Sequence, residues 1–297
     1  MYKYSVVIPH YNSAELLRRM LASIPEREDI QVIIADDGSN IENVEILKTL
    51  THKNLDILFL EHVNSGHARN KGLERAEGKY FIAADADDEF APKAFEIFDK
   101  YTGGEEIDCL FFCMKVINSD GTEKNVKILG NESVKAYLKN ANHNTEILIK
   151  FRNMNPVNKL VKMSFIREHN IKFEVNGVND DTFYTYQIGL HVKNFKVIPD
   201  ALYYITENPS SITRQKRSIE REFEFYLCRQ KQNGFYRKLG LKQFIRPDIL
   251  YVPYMIFKHG ITGAIKFFRL LWQHRDERAK ARRAYLCLFD ENMQESL

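Results

Sequence analysis

Tyr80-Phe81-Ile82-Ala83-Ala84-Asp85-Ala86-Asp87-Asp88 is an uncharged run that stops on three acids within four residues. Five such residues bounded by a polar cluster predict a buried strand, Tyr80–Ala84, with the acids just past its carboxyl end. Two earlier stretches have the same form. Ser5-Val6-Val7-Ile8 ends at Pro9-His10-Tyr11-Asn12, and Gln31-Val32-Ile33-Ile34-Ala35 ends at Asp36-Asp37-Gly38-Ser39. A further strand is expected at Leu55–Leu60. Helices are expected at Ala14–Ser23 (capped by Ser13), around Val44–Leu50, and at His67–Ala76, which Gly78 follows. Strand and helix alternating in this way predict an α/β fold with a mostly parallel, doubly wound sheet. Ligands of such sheets sit outside the carboxyl ends of the strands, and three polar clusters converge there.

A carboxylate costs several kcal/mol to desolvate unless it is paired or bound to a metal. Asp36 and Asp37 can be explained as turn formers before Gly38. Asp85, Asp87 and Asp88 repel one another, and on a turn they can face one divalent cation; oxygen-only ligands suit Mn²⁺ or Mg²⁺. Such a cation takes its remaining ligands from a nucleotide diphosphate and supports the departing group. A third acidic site, Asn179-Asp180-Asp181, precedes an aromatic-rich helix over Thr182–Leu190. Its acids either complement the helix dipole or supply a general base.

The 297 residues suffice for one large α/β domain with a helical extension. With 44% hydrophobic and 28% charged residues the composition is globular, and a formal charge of +3 gives no case for nucleic acid as partner. No run approaches the roughly 20 apolar residues of a membrane span, and the N-terminal apolar core is too short for a secretion signal. A cytoplasmic setting is therefore expected. Cys109, Cys113, Cys228 and Cys287 lack metal-ligand spacing and read as buried free thiols. His10, His62 and His67 read as satisfied polar groups near the site edge, and Phe223-Glu224-Phe225-Tyr226 as helix packing. The middle of the chain adds strands at Asp108–Val116, Lys196–Ile198 and Leu202–Ile205.

Taken together, these segments resemble family 2 of the inverting glycosyltransferases, which have the GT-A fold. The resemblance rests on Ile8-Pro9-His10-Tyr11-Asn12, Asp36–Ser39, the stretch from Asn64 through Ala68-Arg69-Asn70 to Gly72, Asp85–Asp88, Asn158-Lys159-Leu160, Asp180-Asp181, Tyr203-Tyr204 and Ser211-Ile212-Thr213-Arg214. It covers residues 5–214. It implies transfer of a sugar from a UDP-sugar to a glycan or lipid-linked acceptor, in a bacterial surface-polysaccharide setting. The donor site it implies comprises Pro9, Tyr11 and Asn12, with Tyr11 against the base, Asp37 on the uracil ring, Arg69 near uracil or phosphates, Asp85 and Ala86 by the ribose, and Arg214 over the diphosphate. Asp87 would ligate the Mn²⁺ or Mg²⁺. Asp181 would be the base, with Asp180 as the alternative because Asp-Asp stands where the family has Glu-Asp. Competing readings are a catalytically inactive GT-A-like binding module and a nucleotidyltransferase; the latter lacks its basic phosphate loop after the first strand.

The expected organisation is a GT-A catalytic domain over 1–215, with a nucleotide half (1–100) and an acceptor half (101–215), and a basic helical region over 216–297. Within that region Ile261, Ala264, Ile265, Phe268, Leu271 and Trp272 recur at helical spacing and predict one apolar face. From Lys266 to Arg283 seven basic residues meet two acids. The face either packs on the catalytic domain or lies on the anionic inner leaflet as a peripheral contact.

Overall fold

The computed structural model describes residues 1–176, 178–207 and 217–289. The chain divides into two compact units, Met1–Ser211 and Ile212–Leu297. The first unit is built on one sheet. Its elements are β1 (Tyr4–His10), α1 (Ala14–Ser23), β2 (Ile30–Asp36), α2 (Ile41–Thr49), β3 (Leu55–Phe59), α3 (Ser65–Arg75), β4 (Tyr80–Ala83), β5 (Glu89–Phe90), α4 (Ala94–Thr102), β6 (Cys109–Ile117), β7 (Glu123–Lys124), α5 (Leu129–Lys139), α6 (His143–Phe151), β8 (Lys159–Lys162), α7 (Met163–Glu168), α8 (Asp180–His191) and β9 (Phe195–Thr206).

The strand order is β3-β2-β1-β4-β8-β6-β9-β5, with β7 paired to β6. The four strands β3, β2, β1 and β4 are parallel, with Val7 opposite both Ile33 and Ala83. Strand β8 runs antiparallel to both β4 and β6, β9 is parallel to β6, and β5 is antiparallel to β9. Strands β1, β2 and β4 are buried on both faces, which is why they read as continuous apolar runs, while the edge strand β3 is half-buried. Tyr4, Val6, Ile8, Val32, Ile34 and Ile82 enter one core, while Val7, Ile33, Phe81 and Ala83 enter the other. That is the period-two alternation of a strand.

The structure revises several sequence expectations. Asn40 and Asn64 cap α2 and α3 by accepting from the N–H groups of Asn43 and His67, so both helices start earlier than the apolar pattern does. Ser13 makes no side-chain cap. Lys196–Ile198 and Leu202–Ile205 form one strand, β9. Its register against β6 slips between Phe111 and Met114. Pro199 lies in the slipped stretch, where a residue without an N–H is tolerated.

The second unit holds α9 (Ile219–Lys238), α10 (Tyr251–Gln273) and α11 (Arg275–Ala284). Gly260 takes φ +69° and kinks α10. Phe223, Tyr226, Tyr251, Met255, Ala264, Phe267 and Leu271 form the core of this unit, as the packing reading of Phe223–Tyr226 expects. The six-residue apolar face needs correction. Ala264 and Leu271 are buried and Phe268 is partly buried, whereas Ile261, Ile265 and Trp272 are exposed. The core-facing stripe is instead Ala264, Phe267 and Leu271, less than half a turn around the helix from those exposed residues. Among the described residues no helix is long and apolar enough to cross a membrane. All four cysteines are buried free thiols.

Candidate active site

The ends of β1 and β2 are tied into one polar frame. His10 Nδ1–H donates to Asp36 Oδ1 at 2.7 Å, and Ser13 N–H donates to His10 Nε2 at 3.0 Å. Those two bonds select one neutral tautomer. Burial holds the imidazole pKa below its usual value despite the pull of Asp36. Ser39 N–H donates to Asp36 Oδ2 at 3.1 Å, and the Ser39 hydroxyl also donates to Asp36. Gly38 has φ +74°, and a Cβ there would come within 2.7 Å of the His62 nitrogen, so the turn requires glycine.

Next to this frame, Asp37 Oδ1 accepts from Val63 N–H at 2.9 Å, and its Oδ2 lies 2.9 Å from His62 Nδ1. The half-exposed Tyr11 ring stacks on His62 with centroids 4.4 Å apart and planes 19° apart. Asn12, at φ +49°, donates its N–H to Ser39 Oγ and accepts from Asn40 N–H, each at 2.9 Å. Asp37, Tyr11 and Asn12 thus share one rim, a flat aromatic surface beside a carboxylate. Pro9 lies one residue before the end of β1, opposite Ala35. The satisfied-polar reading holds for His10 and His62. It fails for His67, whose Nδ1 is buried without a partner among the described residues.

The acidic turn after β4 is furnished differently. Asp85 N–H donates to the Tyr203 hydroxyl oxygen at 2.7 Å, and Asp88 Oδ1 accepts from Thr206 N–H at 2.9 Å. Burial, followed by Asp85 and Asp87, pushes the Asp88 carboxyl well above its ordinary pKa. Burial and then Asp85 also raise Asp87. Among the described residues the Asp87 carboxylate has only its own backbone N–H as donor. Arg19 of α1 donates to the Asp87 carbonyl, not to its carboxylate. Ala86 is buried in the core below the turn.

Arg69 joins this turn to the third acidic site. Its guanidinium is nearly buried, donating to Asp180 Oδ2 at 2.6 Å and to Asp85 Oδ1 at 2.7 Å. Burial opposes its charge, but Asp180, Asp85 and Asp181 outweigh that and keep it protonated. Its carbon lies 5.5 Å from the Phe173 ring centroid. The neighbouring residues of α3 explain this placement. A Cβ on Gly66 would stand 2.1 Å from the Glu174 carbonyl oxygen, so glycine alone permits the approach. Asn70 clasps Phe173 through two bonds of 2.9 and 2.8 Å, and Ser65 Oγ donates to Asp180 Oδ2 at 2.9 Å. Asp180 is thereby occupied by two donors.

Asp181, one residue on, makes no side-chain hydrogen bond among the described residues. Burial, then repulsion from Asp180 and Asp85, pushes its carboxyl up to about 6, against the pull of Arg69 and Lys159. Lys159 is itself buried on β8. Its ammonium donates to the carbonyl of Asn153 at 2.8 Å, to Asn158 Oδ1 at 3.2 Å and to the Asn155 carbonyl. Burial brings its pKa down to about 7, with Cys109 and Asp181 acting the other way. A carboxylate that is unpaired and titrates near neutrality is equipped to take a proton.

Of the site residues expected from sequence, Arg69, Asp85, Asp180 and Asp181 belong to one network, and Tyr11, Asn12 and Asp37 to the adjoining rim. Arg214 lies outside the described residues. Sequence reasoning missed the contacts of Arg19, Ser65 and Phe173. Arg19 and Ser65 carry no signal beyond helix-surface polarity, and Phe173 reads as one apolar residue among many. Among the described residues no three His, Cys, Asp or Glu side chains gather in a metal cage. The donor chemistry still fits a hard cation whose other ligands come from a diphosphate: among the described residues the Asp87 carboxylate has no outside hydrogen-bond donor and is crowded by Asp85, and a divalent charge would relieve that crowding.

Residues 5–169 match the family model described as "Glycosyl transferase family 2". A poly(ribitol-phosphate) beta-glucosyltransferase of Bacillus spizizenii is 28% identical over 214 residues, 68% of this chain and 32% of that protein. The poly(ribitol-phosphate) beta-N-acetylglucosaminyltransferase TarP of Staphylococcus aureus is 30% identical over 220 residues, 70% of this chain and 64% of that protein. This chain therefore spans less than two thirds of either relative's length. The crystal structure of S. aureus TarS residues 1–349 in complex with UDP-GlcNAc superposes with a TM-score of 0.61 at 18% identity, over 98% of this chain and 82% of that one. That likeness is one of fold, and the fold is of the GT-A kind.

Proposed function

Because the chain belongs to glycosyl transferase family 2, we propose that it transfers a sugar from a UDP-sugar to a hydroxyl of a glycan or lipid-linked glycan acceptor, inverting the anomeric carbon. The observation that carries this reading is the division of labour in the acid pair. Asp180 is held by Arg69 and Ser65, and Asp181 stays unpaired with a pKa of about 6. In the proposed reaction the acceptor oxygen attacks the anomeric carbon from the face opposite the diphosphate. The bond from that carbon to the diphosphate oxygen breaks, UDP departs with the electron pair, and the acceptor proton ends on Asp181.

The rim of Asp37, Tyr11 and Asn12 supplies a carboxylate acceptor and a stacking surface for a uracil ring, and Pro9 is assigned to the same subsite on sequence grounds. Asp85 is assigned to the ribose side and keeps Arg69 oriented, while Ala86 spaces the acids. Arg69 adds positive charge beside the departing group, and Arg214 is assigned to the diphosphate on sequence grounds alone. Asp87, with Asp85 beside it, would hold Mn²⁺ or Mg²⁺. Such a cation supplies Lewis-acid stabilisation of the charge that develops on the diphosphate.

The curated relatives are named for glucosyl and N-acetylglucosaminyl transfer to poly(ribitol-phosphate). UDP-glucose and UDP-N-acetylglucosamine are accordingly the first donors to test, with a polyol-phosphate polymer as acceptor. UDP release from either donor, rising with Mn²⁺ or Mg²⁺ and stopped by EDTA, is the expected result. No UDP release from any UDP-sugar with acceptor present would overturn the reading, and consumption of a nucleoside triphosphate instead would mark a nucleotidyltransferase.

A further inference from the structure

The second unit exposes an apolar stripe that its own core does not use. On α10 after the Gly260 kink, Ile261 is 70% exposed, Ile265 54% and Trp272 72%, and the partly buried Phe268 lies between them. These positions fall at i, i+4, i+7 and i+11, which places them along one line of a helix. Before the kink, Phe257 is 92% exposed, and Ile249 and Leu250 are exposed too. The line borders the core-facing stripe of Ala264, Phe267 and Leu271 on one side. On its other side the helical spacing sets Arg269 and Lys266, both exposed. From Phe257 to Arg275 the chain carries four basic residues (Lys258, Lys266, Arg269 and Arg275) and no acidic one. Among the described residues of this unit the buried Glu222 answers Lys258, at 3.2 Å, and Glu220 lies near enough to Lys266 to feel its charge.

We propose that this face of α10 seats on an anionic phospholipid surface, with Ile261, Ile265 and Trp272 at the headgroup–acyl boundary and Arg269 and Lys266 on the phosphates. Charge decides the occupant. A second copy docking the same face by two-fold symmetry would press an all-basic flank against itself. An anionic bilayer neutralises the flank and takes up the apolar line, which is the geometry of an interfacial helix. A solvent-exposed line of this kind, continuous and unpaired, marks a contact surface.

Trp272 is the only tryptophan of the chain, so the proposal carries its own reporter. The full chain is mixed with vesicles of phosphatidylcholine alone or of phosphatidylcholine with phosphatidylglycerol, and both flotation and tryptophan emission are followed. Anionic vesicles should co-float the protein, shift its emission to the blue and, when built with brominated acyl chains, quench it. High salt should weaken this binding, because exposed charges are screened. The exposed pair Lys266→Glu/Arg269→Glu, or Ile261→Ser/Ile265→Ser, should lower vesicle affinity by about 10-fold or more while circular dichroism stays unchanged. Indifference to anionic vesicles, equal binding to neutral ones, or a blue shift that rises with protein concentration in the absence of lipid would each overturn the proposal. The last result would assign the face to a second copy.

Discussion

The turns after β2 and β4 carry nearly the same letters and have opposite electrostatics. In Asp36-Asp37-Gly38-Ser39 both carboxylates are provided with donors: His10 and Ser39 for Asp36, and Val63 N–H for Asp37, whose other oxygen lies beside His62 Nδ1. In Asp85-Ala86-Asp87-Asp88 the donors go chiefly to Asp85, through Arg69, and to Asp88, through Thr206, while Asp87 receives none from outside the turn among the described residues. The first turn is complete as a frame. The second has surplus negative charge, visible in the raised pKa values of Asp87 and Asp88. The acid pair Asp180–Asp181 repeats this contrast between adjacent residues. A carboxylate with its donors in place supports structure, and one without them is available to a cation or a proton.

Substitutions can test that contrast, and the largest effect is expected at Asp181. Asp181→Asn should reduce sugar transfer by about 10²–10⁴-fold with UDP affinity retained, the range for loss of a general base. If Asp180→Asn loses the chemistry and Asp181→Asn keeps it, the division between the pair is reversed. Asp36→Ala should destabilise the fold by about 2–3 kcal/mol in urea unfolding, because it strands the buried His10 Nδ1–H and Ser39. Asp87→Ala should behave in the opposite way. It removes a crowded carboxylate, so metal-free stability should hold or rise, while the response of UDP release to Mn²⁺ or Mg²⁺ disappears. A stability loss at Asp87 equal to that at Asp36 would erase the distinction between the two turns.

The smallest effect is in the pH dependence. The Asp181 pKa is raised from 3.8 to about 6 in the folded chain. Between those values the folded protein keeps a proton that the unfolded chain has released, so stability falls as pH rises through the window. The fall contributed by this group should be on the order of 1–2 kcal/mol, once its partial contact with solvent is allowed for. Asp181→Asn should flatten that segment of the curve. In the same range kcat/KM of the wild-type chain should climb as Asp181 loses its proton. A pH profile that is flat between 5 and 7, values that bracket about 6, would remove Asp181 from the role of base.

The first four strands and their helices are legible in the sequence because each is a local pattern: a continuous apolar run, a helical apolar period, an acid–glycine turn. Helix starts were misplaced where Asn40 and Asn64 cap, since the apolar period begins after the cap. The interruption at Pro199 makes the sequence look like two strands, although partners on β6 hold β9 as one. In the second unit the hydrophobic spacing of α10 showed that the helix is amphipathic, yet placed its face wrongly. Ile261, Ile265 and Trp272 are as apolar as Phe267 and Leu271, and only the position of α9 and the bend at Gly260 distinguish them.

For the site, the sequence by itself determined the inventory: which turns carry acids, that they follow strands of one sheet, and that their oxygens suit a hard cation. It left Asp180 and Asp181 equivalent. Their separation depends on Arg69, 111 residues from Asp180, and on Ser65, 115 residues away. The pKa of Asp181 depends further on Asp85 and on Lys159 of β8. Periodicity and turn chemistry act between near neighbours, so a linear chain records them. Desolvation and the allocation of donors depend on groups brought together from distant segments, and they acquire values only once the sheet has closed around the site.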